Sequence, residues 1–129
     1  MTDLTVSAAF AQGLIRFAAG RGADRTTLLR MAGLRESVVA DQDARLPFPA
    51  YVALMRAAKS LTGDAALALH FGEAIDISEV SIIGLIGQAS ETMMDAFVQL
   101  NRYVRLVVET ENADGGERFQ LGYDREGLW

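Results

Sequence analysis

From Pro47 to Tyr103 the chain is cut into short apolar stretches by residues that start or stop helices, and this punctuation limits the fold more than any other feature. Pro47 and Pro49 mark the first start, since a proline in an opening turn gives up only an N–H that would be unpaired there. Tyr51, Leu54, Met55, Ala58 and Leu61 then recur at helical spacing up to Gly63, which stands where a left-handed cap is wanted. Asp64 can cap the next helix. That stretch, Ala65 to Glu73, is apolar on most sides and is expected to be well buried. Glu79 to Ala89 carries Ile82, Ile83, Leu85 and Ile86 beside the small residues Ser81, Gly84, Gly87 and Ala89. Ser90 or Thr92 opens a last helix striped by Met93, Phe97, Leu100, Tyr103 or Val104, and Val107.

Upstream, Val6, Phe10, Leu14 and Phe17 predict a helix from Thr5 to about Ala19, stopped by Gly20 and Gly22. Asp24 or Thr26 caps a shorter one through Leu28, Leu29 and Met31 to Gly33. Glu36–Ala40 adds a turn, and Asp41–Arg45 reads as a polar linker. Beyond Val107 the period changes. Val108–Asn112, the turn-forming Ala113–Gly116 and Arg118–Tyr123 predict a hairpin, with Phe119, Leu121 and Tyr123 on one face. The expected fold is α+β: a single, predominantly helical domain of five to six helices with a C-terminal β-hairpin. Leu54, Met55, Leu67, Phe71, Leu85, Ile86, Phe97 and Leu100 are expected to share one core.

Charge narrows the function. The 129 residues carry a net −5, with 50% hydrophobic and 22% charged residues, as in an ordinary globular domain. Residues 1–63 hold eight Arg or Lys against five acids, and residues 64–129 four against twelve. An acidic chain is repelled by a phosphate backbone unless its cations cluster. The segment Thr27–Val39 imitates a helix-turn-helix. Its second half offers Arg35 against Glu36, Asp41 and Asp43, which suits packing better than base reading. Cysteine is absent, and no apolar run is long enough to cross a bilayer. With no secretory pattern at the N-terminus, a cytoplasmic protein is expected.

Catalytic patterns are missing: there is one histidine, no nucleophile motif, no phosphate-cradling loop and no metal-ligand spacing. The chain is therefore expected to be neither an enzyme nor a cofactor or metal carrier. His70, between Leu69 and Phe71, is either a hydrogen-bonded boundary residue or a ligand contact. Glu109, Glu111, Asp114 and Glu117 read as a solvated hairpin face. Gly84 and Gly87 admit two readings, a close helix contact or room for a ligand. Arg102 and Arg105 share a helix face beside Tyr103. They pair with the acidic half, bind an anionic ligand or meet a second copy.

The order of these elements resembles a known family. The Leu46–Pro47 start, the Leu61-Thr-Gly-Asp64 stop, the Ala/Leu helix running into Phe71-Gly-Glu73, the Gly-spaced apolar helix, and the Ser90-x-Thr92 start of a helix ending in Asn101-Arg-Tyr103 are similar to the N-terminal regulatory domain of AraC-type bacterial transcription regulators, in its helical branch. The likeness covers roughly residues 25–123. It implies a module that senses a small-molecule effector and forms homodimers, with His70, Arg102 and Tyr103 as candidate effector contacts. It also implies DNA binding through two C-terminal helix-turn-helix units that these residues do not contain. The chain is thus expected to be a fragment of such a regulator. A stand-alone helical protein–protein interaction domain is the alternative, and a small enzyme using carboxylates and His70 is the third.

Overall fold

Two stretches that periodicity reads as helix and linker pair instead as strands. Thr5–Ser7 (β1) and Arg45–Pro47 (β2) run antiparallel in the computed structural model, which describes residues 4–107 and 122–128. Val6 faces Leu46 across the register, and both side chains are buried. A β-branched residue opposite an apolar one suits such a pair, and Pro47 at the strand end forgoes a donor the ladder does not need. Val6 thus belongs to a strand, not to the first turn of a helix.

Ser7 then caps α1 (Ala8–Gly20), its hydroxyl accepting the Ala9 N–H at 3.3 Å. Asp24 caps α2 (Arg25–Ala32) by accepting the Thr27 N–H at 2.8 Å, and α3 (Glu36–Ala40) comes next. The helix-turn-helix imitation is therefore α2 and α3, with Leu28, Leu29 and Val39 buried inside. Outside, Arg25 Nε lies 3.2 Å from each Glu36 carboxylate oxygen. α4 (Phe48–Thr62) carries Pro49 in its first turn and ends at Gly63, whose φ of 68° is costly for a residue with a Cβ. α5 (Leu67–Ala74) closes this half. Leu14, Ile15, Leu28, Leu46, Leu54 and Leu67 are fully buried in a single core.

The expected helix over Glu79–Ala89 is two helices, α6 (Ile77–Val80) and α7 (Ile82–Ala89). Ser81 separates them in an extended conformation, φ −155° and ψ 136°. Its N–H donates to the Ile77 carbonyl at 3.0 Å and its hydroxyl accepts the Ile83 N–H at 3.1 Å, so one residue ends one helix and caps the next. Thr92 opens α8 (Met93–Tyr103), accepting the Asp95 N–H at 3.1 Å, and a 3-10 turn, Val104–Leu106, completes it. Side-chain caps spaced this closely raise the count to eight α-helices among the described residues, against the five to six expected.

The β part also sits elsewhere than expected. The predicted hairpin strands, Val108–Asn112 and most of Arg118–Tyr123, lie outside the described residues, as does the acidic cluster from Glu109 to Glu117. The sheet joined to the core is the N-terminal β1–β2 pair, because Val6 and Leu46 gain burial by pairing there. Among the described residues, Tyr123–Asp124 (β3) and Gly127–Leu128 (β4) form a two-residue antiparallel ladder.

The expected core divides as well. Leu54, Leu67 and Phe71 are buried and Met55 packs against them, yet Leu85 is 54% exposed and α8 has no buried residue. α7 packs against α6 and α8 instead of lying over α4 and α5, so Ile86, Phe97 and Leu100 are only half-buried. α5 is buried along Leu67 and Phe71 alone, with Leu69 turned to solvent.

Candidate functional site

The end of α5 together with α6, α7 and α8 encloses a groove of about 570 Å³. Glycine shapes it twice. A Cβ at Gly84 would clash with the Ile77 carbonyl carbon and oxygen and lie 2.5 Å from the Ser78 nitrogen, so α6 and α7 meet backbone to backbone. At Gly87, one turn on, nothing lies within 4 Å of that position, and the missing side chain leaves open groove. Of the two readings of these glycines, close contact describes Gly84 and free space describes Gly87.

Ile75, Ile77, Ile83, Met93, Phe97 and Leu100 form most of the wall, with Asp76, Ser78 and Gln88 as its polar side chains. Asp76 caps α6: its Oδ1 accepts the Ser78 N–H at 2.9 Å and also the Ser78 hydroxyl. The hydroxyl bond first, then the N–H bond, holds this carboxyl below the usual aspartate value of 3.8, so it is ionised at neutral pH. A smaller cleft of about 150 Å³ shares Ala74, Ile75 and Asp76 with the groove and adds Arg16, Phe17, Phe71 and Glu79.

The far end of α8 is tied to the main body. The Ser7 N–H donates to the Val107 carbonyl at 2.8 Å, and Arg45 reaches the Leu106 carbonyl and, at 3.0 Å, the Thr5 hydroxyl. These bonds anchor the α8 wall of the groove to β1 and β2.

The residues singled out by sequence lie elsewhere. His70, on α5, places Nδ1 2.6 Å from Asp64 Oδ2, with 43% of its side chain exposed. Asp64 also accepts the Ala66 N–H at 3.0 Å and meets Arg21 at 3.4 Å. Arg21 covers the Phe17 ring at 4.5 Å, and Phe17 meets Phe71 at 5.5 Å. This chain of contacts ties α1 to the α4–α5 turn. Arg102 is exposed, its guanidinium 5.8 Å from the centre of the neighbouring, half-buried Tyr103 ring. The Arg105 side chain lies outside the described part. None of His70, Arg102 and Tyr103 lines the groove. Sequence reasoning passed over Asp76 and Ile75, for which the Asp76-x-Ser78 cap was the visible signal. No three potential metal ligands converge among the described residues.

Asp64 makes stability acid-sensitive. The His70 hydrogen bond above all, with the Ala66 N–H and Arg21, holds its carboxyl below the usual 3.8. The folded state therefore binds this proton less readily than the unfolded chain. Its contribution is complete above the unfolded value and is lost as pH falls through the folded one. Urea melts at pH 5 and pH 2.5 should show a smaller acid loss for Asp64→Asn than for the parent protein. An equal loss in both would place the acid sensitivity on other carboxylates.

Comparison with known proteins adds one finding. The family described as the arabinose-binding domain of AraC transcription regulators, N-terminal, matches residues 22–128. No curated protein and no solved structure matches the chain.

Proposed function

Because the chain belongs to the family of N-terminal arabinose-binding domains of AraC transcription regulators, we propose that it is the effector-sensing and dimerisation part of such a regulator, with the α5–α8 groove as its effector site. The observation that carries this reading is the groove, whose 570 Å³ falls within the range of about 300–1,000 Å³ usual for small-molecule sites. Its wall is mostly apolar with a few polar groups, the usual arrangement for binding a small molecule and orienting it.

The role is regulatory, not catalytic. It is exercised in the bacterial cytoplasm through a C-terminal helix-turn-helix part that binds DNA. No helix of the described residues is long and apolar enough to cross a membrane. The bonds from Val107 and Leu106 to Ser7 and Arg45 support coupling of an occupied groove to the N-terminal body. Met94 and Val98, exposed on α8 at 40% and 52%, support an apolar contact with a second copy.

Gly87→Leu tests the site. A ligand at a hundredfold excess over Kd stabilises the native state by about 2.7 kcal/mol. In a thermal-shift screen of amino acids, sugars and fatty acids, compounds that stabilise the parent protein should not stabilise the variant, whose leucine fills the groove. If every active compound stabilised both proteins equally, the effector would bind elsewhere. Light scattering on the same samples should give twice the monomer mass; a monomer at the highest concentration would assign dimerisation to other parts of the regulator.

A further inference from the structure

We infer that the groove selects a molecule with an apolar body and a protonated amine head, and discriminates against carboxylates and free sugars. The inference rests on the proposed reading of the groove as the effector site. It starts from the charges. Asp76 is the only ionisable side chain of the lining, and no Lys, Arg or His stands on it among the described residues. Both bonds from Ser78 go to Asp76 Oδ1, which leaves Oδ2 without a hydrogen bond among the described residues. A carboxylate ligand would give up hydration to enter and would then face a fixed negative charge with no cation on the described lining to offset it; Arg16 stands in the adjoining cleft, not in the groove. An amine gains that same charge as a partner.

The wall excludes sugars by a different route. Every hydroxyl stripped of water needs a replacement partner, and an unpaired one costs more than a formed bond returns. Among the described residues Asp76, Ser78 and Gln88 are the polar side chains of the wall, and Ser78 has given its one donor to Asp76, leaving it only as an acceptor. Ile75, Ile83, Phe97 and Leu100 offer a sugar nothing but apolar surface. The space beside Gly87 suits a flat or branched apolar group. Met93, at the rim and 68% exposed, can adapt to its shape.

Tryptamine, tryptophol and indole-3-propionate share one body and differ in the head; arabinose stands for the sugars. Calorimetric titration of the protein with all four compares them directly. Attraction gained by the amine and repulsion suffered by the carboxylate add, each modest for a partly solvated group, so tryptamine should bind about tenfold tighter than indole-3-propionate, with tryptophol between. Asparagine caps a helix as well as aspartate does, so Asp76→Asn should fold, narrow that gap to about threefold or less, and leave tryptophol unchanged. Gly87→Leu should abolish all three. Equal or tighter binding of the carboxylate, arabinose binding that Gly87→Leu removes, or an amine preference that survives Asp76→Asn would overturn the head-group selection while leaving the groove as effector site. Failure of all three indoles to bind, or binding that Gly87→Leu leaves intact, would overturn the inference and count against the groove itself.

Discussion

Leu54→Ala should lower stability by about 2–5 kcal/mol, the range for truncating a fully buried leucine where neighbours collapse only partly. Leu54 has no exposed surface, and it stands on α4 among Leu14, Leu28 and Leu46, themselves fully buried. The loss has two sources: the transfer energy of the removed methyl groups and the dispersion attraction forfeited by the side chains around the cavity. Leu85→Ala is the matched control. The sequence stripe would put Leu85 in the same core, but at 54% exposed it should cost no more than about 0.5 kcal/mol. Urea melts of both variants decide the matter, with unchanged slopes showing that the unfolded state is not the source. A Leu85→Ala cost matching that of Leu54→Ala would put α7 in the main core and contradict its packing chiefly against α6 and α8.

Gly84→Ala and Gly87→Ala should move stability in opposite directions. Replacing a helical glycine with alanine ordinarily gains about 1 kcal/mol by reducing unfolded-state freedom and suiting the helix. Gly87 should show that gain, because its Cβ would enter open space. At Gly84 the new carbon would clash with the Ile77 carbonyl group, which is backbone and cannot rotate away. α6 would have to shift, and the strain of overpacking, about 1–3 kcal/mol, should outweigh the helix gain and leave a net loss. Gly84→Ala should also disturb the groove, since Ile77 and Ser78 are part of its wall. Stabilisation by both substitutions in parallel melts would mean that α6 and α7 do not touch at this point.

What was legible in the chain was what neighbours within a few residues decide. Asp24 capping α2, Pro49 in the first turn of α4, Gly63 at its end and Thr92 opening α8 are local bonds and local backbone preferences, so their residues announce them. The order of those elements was enough to show the family resemblance. Periodicity could assign an apolar face to α7 and α8 but not its partner, since Ile83 in the groove region and Leu54 in the core have the same helical spacing and chemistry.

Tertiary structure decided the rest, through contacts between residues far apart. Val6 reads as helix until Leu46 pairs with it; His70 reads as part of a buried helix until Asp64 and the exposed side of α5 claim it. The groove exists because Gly84 brings α6 against α7 while Val107 and Arg45 hold the end of α8 to the N-terminal strands. Asp76, the one charge of its lining among the described residues, was readable as a cap. That this carboxylate borders an apolar groove with no cation on its described lining depends on where four helices come to rest, and spacing along the chain carries no record of it.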